Sequence, residues 1–223
     1  MIKAIIFDMD GVIFDSECKV IETWTVVADK YGIKDIASFC LSAMGQNREA
    51  AKARFLEIYG ADAPYDAYKA EMSALFHERY NNGRLPLKPY VKESLASLKE
   101  RGYLLAVATS TREEVVTAEL GDAGLVKYFD AIICGDMVSK SKPDPEIYLK
   151  ACETLGVKPK DAIGVEDSHN GIRAVKAAGM TAVMIPDLMP VTEEMKEKAD
   201  CILDDMGKLV SYCKIKNSNF ALE

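Results

Sequence analysis

The chain has 223 residues, 49% hydrophobic and 28% charged, which is enough apolar material for one or two folded domains and too much for disorder. A formal net charge of −7 argues against nucleic acid as the main partner, because phosphate backbones are held by clustered Lys and Arg, but it leaves room for a small phosphorylated ligand. No apolar run approaches the roughly 18 residues that span a bilayer, and the N-terminal apolar stretch stops at Asp8, too early for a secretory signal, so no membrane partner is expected.

Lys3-Ala4-Ile5-Ile6-Phe7 reads as a short buried strand that stops in the turn Asp8-Met9-Asp10-Gly11. From Ser16 to about Tyr80 the pattern is helical. Ile21, Trp24, Thr25 and Ala28 are predicted to share one helical face, and Ala51, Phe55 and Ile58 another. Ser16 reads as a helix cap at the start of this block. Beyond Pro86, apolar strands alternate with amphipathic helices. The predicted strands are Tyr103 to Ala108, Ala131 to Cys134, Ala162 to Val165, Thr181 to Ile185 and a weaker one at Cys201. Such alternation means a parallel sheet covered on both faces. The isolated first strand must join that sheet. The expected fold is therefore an α/β, doubly wound, Rossmann-like core, residues 1–14 and 82–223, with an all-helical cap, 15–81, inserted after the first strand.

The six cysteines are scattered, with no C-x-x-C pair and no zinc-like spacing, and read as reduced structural thiols of a cytoplasmic protein. The two histidines, His77 and His169, leave little scope for a His-based metal site. Nothing in the sequence marks an oligomeric interface.

Ligands of open parallel sheets bind outside the C-terminal ends of the strands. At those positions stand Asp8 and Asp10, Thr109 and Ser110, Lys142-Pro143, and Glu166-Asp167-Ser168. Residues i and i+2 on a strand point to one side, so Asp8 and Asp10 can face one pocket. Carboxylates that close repel unless a cation neutralises them or one holds a proton. A hard divalent cation such as Mg²⁺, which accepts oxygen ligands and substrate phosphate, is the simplest relief. Thr109 and Ser110 offer donors to phosphate oxygens ahead of a helix, and Lys142 can offset the charge of a nucleophile and a phosphoryl group. Each feature alone has a plainer reading as a turn, a solvated loop or a helix cap. Their convergence on four strand ends favours an active site.

The set Asp8-x-Asp10-Gly-Val, Thr109-Ser110, Lys142-Pro143 and Glu166-Asp167-Ser168-x-x-Gly171 resembles the haloacid dehalogenase superfamily along essentially the whole chain. Within it, the helical insertion resembles the subgroup of β-phosphoglucomutase and phosphoglycolate-type phosphatases. The resemblance implies that Asp8 is a nucleophile forming an aspartyl phosphate and that Asp10 is the general acid and base. It implies that Thr109 and the Ser110 backbone hold the transferring phosphoryl group, and that Lys142 orients Asp8. It further implies Mg²⁺ on Asp8, the Asp10 carbonyl and Asp167, with Glu166 as a ligand or just behind the ligands.

Departures narrow the branch. Asp10 argues against the metal-free dehalogenases. Met44-Gly45 is followed by Gln46-Asn47-Arg48 and not by the lysine of the phosphonate-cleaving branch. Val20 stands where β-phosphoglucomutase carries a cap histidine, which argues against a mutase. The expectation is a phosphatase for a small phosphorylated metabolite, a sugar or polyol phosphate, with the cap closing over the rim and Arg48 as its ligand contact. The alternatives are a phosphosugar mutase and, in another class, a non-catalytic phosphoacceptor, although receiver-type phosphoacceptors are shorter and carry no helical cap.

Overall fold

The computed structural model describes residues 1–44 and 48–219, with the side chains of Arg48 and Asn219 outside the described residues. The chain divides into two compact units, Met1–Phe14 together with the chain from Leu87 onward, and Asp15–Pro86.

The first unit is built on six strands: β1 (Ala4–Phe7), β2 (Leu104–Ala108), β3 (Ala131–Ile133), β4 (Ala162–Glu166), β5 (Thr181–Met184) and β6 (Cys201–Ile202). They form one sheet in the order β3-β2-β1-β4-β5-β6, every pair parallel. The register sets Ala4 between Leu104 and Ala162, and Phe7 between Val107 and Val165. β1 is buried along its whole length, which is why its sequence is apolar without alternation. The chain moves outward from β1 through β2 to β3, then returns to the other side of β1 with β4. That reversal opens a crevice at the C-terminal ends of β1 and β4.

The remaining helices of this unit are numbered after the four of the insertion. They are α5 (Val91–Glu100), α6 (Glu113–Asp122), α7 (Glu146–Leu155), α8 (His169–Ala177), α9 (Glu193–Lys198) and α10 (Leu209–Asn219). Ile147, Ala151 and Cys152 of α7 and Ile172, Ala174 and Val175 of α8 share one buried cluster with Ala4, Ile6, Ala106, Ala162 and Ala182. The small strand residues let the helices approach closely. The C-terminal helix docks, because Leu209 and Cys213 are buried and Asn217 clamps the start of the sheet. Asn217 Oδ1 accepts from the Ile2 N–H at 2.7 Å, and its Nδ2 donates to the Ile2 carbonyl at 3.1 Å and to Tyr103 Oη at 3.0 Å.

The second unit holds α1 (Ser16–Tyr31), α2 (Ile36–Ala43), α3 (Arg48–Tyr59) and α4 (Tyr65–Tyr80). No strand occurs in it among the described residues, as the helical pattern predicts. Its core is aromatic: Trp24 packs on Phe39, Phe55 and Tyr65 with ring centroids 5.9, 6.0 and 6.2 Å away. Three details of the sequence reading need correction here. The buried face of α1 takes Thr23 and Val27 with Trp24 and Ala28, while Thr25 is exposed. Thr23 tolerates burial because its hydroxyl donates within the helix to the Lys19 and Val20 carbonyls, both at 2.9 Å. Ile58 is exposed, leaving Phe55 as the buried anchor of α3. Ser16 is the first residue of α1 and buried, the cap position being Asp15.

Candidate active site

Asp8 follows directly on β1. Its N–H donates to the Val165 carbonyl at 2.9 Å, so the β1–β4 ladder itself fixes where the side chain leaves the sheet. Lys142 Nζ donates to Asp8 Oδ1 at 2.6 Å, to Glu166 Oε1 at 2.6 Å and to the Ala108 carbonyl at 3.0 Å. All three ammonium protons are thereby used, one each at the ends of β1, β2 and β4. Lys142 reaches this point from a pinned loop. The Glu146 carboxylate, at the start of α7, accepts from Ser139 N and Oγ and from Lys140 N, and Asp144 Oδ1 accepts from Glu146 N.

Glu166 ends β4 and is fully buried. Oε1 also accepts from Tyr148 Oη at 2.7 Å, while Oε2 accepts from Ser168 Oγ at 3.0 Å and from the Asp167 and Ser168 N–H groups at 3.2 Å. Space for this carboxylate exists only because residue 171 is glycine, where a Cβ would stand 1.8 Å from Glu166 Cδ. Ser168 caps α8 as expected, its Oγ accepting from Gly171 N at 3.0 Å. Asp167 is buried beside it. Gly11, at φ +78, lets the turn after β1 pass so near that a Cβ would lie 2.4 Å from Asp167 Oδ2.

Oxygens of Asp8, Glu166 and Asp167 lie within 4.8 Å of one another. Burial pushes the Asp8 carboxyl up to about 8; Lys142 opposes that shift, and Glu166 and Asp10 add to it. Burial acts the same way on Glu166, yet Lys142 and the hydrogen bonds around it hold that carboxyl below its ordinary value. Lys142 loses to burial but gains more from Asp8 and Glu166, and stays protonated well above the usual lysine range. Three clustered carboxylates facing one ammonium form an all-oxygen donor set short of positive charge, which fits a hard divalent cation.

Thr109 is buried at the end of β2 with its N–H on the Ile133 carbonyl at 3.1 Å, and Ser110 is exposed next to it. Asp10 is half-buried, and its Oδ2 accepts from Thr111 Oγ1 at 2.8 Å. The structure thus gathers Asp8, Lys142, Glu166 and Asp167 into one network and turns the Asp10 carboxylate toward the loop after β2. The expected ligand contact, the Arg48 side chain, lies outside the described residues, as do Gly45, Gln46 and Asn47. Val20 is half-buried against the aromatic core of the helical unit. His77 is exposed with Nδ1 3.0 Å from Asn81 Oδ1, and His169 Nε2 lies 2.8 Å from the Pro190 carbonyl.

Sequence reasoning missed three residues. Tyr148 is fully buried, with Lys142 Nζ 5.1 Å from its ring centroid. Its signal was available, since a tyrosine on the apolar face of α7 must find a partner for its hydroxyl. Thr111 stands at the same strand end as Thr109 and Ser110, but nothing in the sequence pairs its hydroxyl with Asp10. Glu119 of α6 is pushed up to about 7 by burial and then by the Asp10 charge, and nothing in its spacing announces that.

Comparison with known proteins agrees with this geometry. Residues 5–185 match the family model of haloacid dehalogenase-like hydrolases. A phosphorylated carbohydrates phosphatase of Thermotoga maritima is 34% identical over 81% of this chain and 83% of its own length. The β-phosphoglucomutase of Bacillus subtilis is 30% identical over 85% of both chains. Among solved structures, CbbY from Rhodobacter sphaeroides in complex with phosphate superposes with a TM-score of 0.76 at 31% identity, covering 94% of this chain and 96% of that one.

Proposed function

This chain belongs to the haloacid dehalogenase-like hydrolases, and on that premise we propose that it is a Mg²⁺-dependent phosphatase of a small phosphorylated metabolite, a sugar or polyol phosphate. The observation that carries the reading is the buried Lys142 ammonium, held 2.6 Å from both Asp8 and Glu166 at the C-terminal ends of β1 and β4. It supports reading one carboxylate as the nucleophile, next to a donor set suited to a cation. The sugar class rests on the phosphorylated carbohydrates phosphatase and the β-phosphoglucomutase among the relatives.

In this reading an Asp8 oxygen attacks phosphorus and the bond to the ester oxygen breaks. Asp10 gives its proton to the departing alcohol. Water then attacks the aspartyl phosphate while Asp10 takes its proton, and the bond from Asp8 to phosphorus breaks to release phosphate. Thr109 and the Ser110 N–H hold the phosphoryl oxygens, and Lys142 keeps Asp8 in one rotamer. The carboxylates of Asp8 and Asp167 with the Asp10 carbonyl would hold the cation. Glu166, whose two oxygens already accept from Lys142, Tyr148, Ser168 and the Asp167 N–H, is better suited to anchoring Lys142. Bound Mg²⁺ supplies positive charge that lets two anions approach. Val20 offers no group to handle a sugar hydroxyl, which favours hydrolysis over isomerisation. A cytoplasmic setting suits cysteines that serve as packing, four of the six being buried.

The test is phosphate release from a panel of sugar, polyol and short-acid phosphates with excess Mg²⁺, using wild type and Asp8→Asn. Repeated turnover that needs Mg²⁺ and falls at least roughly 10⁴-fold in the variant supports the reading. Release of at most one phosphate per chain would point to a phosphoacceptor, and conversion of β-glucose 1-phosphate to glucose 6-phosphate would point to a mutase.

A further inference from the structure

We infer that Thr111 is a positioning residue for the general acid, its hydroxyl holding Asp10 Oδ2 and so fixing the orientation of the carboxyl group. The inference rests on the phosphatase reading above and deepens it at the same site. Thr111 Oγ1 donates to Asp10 Oδ2 at 2.8 Å. A hydrogen bond to Oδ2 restricts rotation of the carboxyl group and so fixes the direction in which it faces. The two residues are 101 positions apart in the chain, so the contact is tertiary and exists only because β1 and β2 are neighbours in register.

The backbone that presents this hydroxyl is held from three directions. The Thr109 N–H donates to the Ile133 carbonyl at 3.1 Å, which ties the loop to β3. The Thr111 N–H donates to Thr109 Oγ1 at 3.1 Å, folding the loop back on itself. The Gly135 N–H donates to the Thr111 carbonyl at 2.9 Å. Gly135 also packs against this loop so closely that a Cβ there would lie 2.2 Å from the Ser110 carbonyl oxygen. A hydroxyl mounted on such a loop is preorganised. The same three residues, Thr109 to Thr111, thus carry both the donors facing the phosphoryl group and the group that aims the acid. A shift of the loop would disturb both together.

Leaving-group dependence separates this role from a structural one. An alkoxide leaves poorly and needs the proton from Asp10, whereas 4-nitrophenolate leaves with little help. The experiment measures kcat for wild type, Thr111→Val, Thr111→Ser and Asp10→Asn on the sugar phosphate that wild type turns over best and on 4-nitrophenyl phosphate. Valine matches threonine in shape and removes only the hydroxyl. Thr111→Val is expected to lower sugar phosphate turnover roughly 10- to 100-fold, part of what a general acid contributes, and 4-nitrophenyl phosphate turnover less than about threefold. Thr111→Ser should recover most of the loss, and Asp10→Asn should show the same selectivity more strongly. Equal losses on both substrates in Thr111→Val, with Asp10→Asn still selective, would overturn the positioning role and leave the phosphatase reading intact. If Asp10→Asn shows no selectivity, or wild type cleaves neither ester, the inference falls together with the reading beneath it.

Discussion

In the unit built on the sheet, Asp8, Glu166 and Asp167 are buried with the Lys142 side chain among them, whereas the helical unit buries Trp24, Phe39, Phe55 and Tyr65, with Ser16 and Thr23 its only buried polar residues among those described. The difference is one of directionality. Buried charges are tolerated only in a network of matched donors and acceptors, so the network dictates where each atom sits. Aromatic packing fills volume and tolerates small rotations, so it dictates shape. A reaction centre needs the first kind of order, and the described residues of the helical unit show only the second.

The largest effect that can break this comparison is expected at Lys142. Lys142→Met leaves Asp8 and Glu166 buried side by side without their shared cation, and urea unfolding at pH 7 should show a loss of about 3–5 kcal/mol. Both carboxyls then titrate above their unfolded values. Stability is therefore regained as pH falls from 7 toward 5, where the folded state takes up protons that the unfolded chain does not. A loss that stays the same across that range would mean that Lys142 acts as packing.

Trp24→Ala is the counterpart in the helical unit. Removing the ring that touches Phe39, Phe55 and Tyr65 should destabilise by about 3 kcal/mol, at the lower end for such a truncation, because an aromatic core can partly collapse. No pH dependence between 5 and 7 is expected, since no buried charge is exposed. Amide hydrogen exchange in α1 and α4 should speed up. Unchanged exchange there would show that Trp24 does not organise this core.

These two units were also unequally legible in the sequence. The strand-end residues are legible because apolar strands alternating with helices imply a parallel sheet, and ligands of such sheets bind at the C-terminal ends of the strands. Asp8, Lys142, Glu166 and Asp167 were found that way. The pairing of Thr111 with Asp10 is not legible in that way, because the two are 101 residues apart and no motif links them. Thr23 and Thr25 show the same limit in the helical unit. Either could extend the apolar stripe of α1, and only packing decides that Thr23 is buried and Thr25 exposed.

The smallest effect sharpens the comparison from within the network. Tyr148→Phe keeps the ring under Lys142 and removes one hydrogen bond to Glu166, whose Oε1 retains Lys142. A loss of about 1.5 kcal/mol in chemical denaturation is expected, the lower range for a bond to a charged group. A loss as large as that of Lys142→Met would mean that the phenol, and not the ammonium, organises the carboxylates.

The central claim, that Asp8 becomes covalently phosphorylated, can be tested most directly by trapping. Enzyme turning over its best substrate with Mg²⁺ would be quenched in acid, treated with borohydride and digested, and the peptide containing Asp8 weighed. An acyl phosphate at Asp8 is reduced to homoserine, so the account predicts homoserine at position 8 in the quenched sample and none without substrate or in Asp8→Asn. Unmodified Asp8 during sustained turnover, or homoserine at another carboxylate, would contradict it.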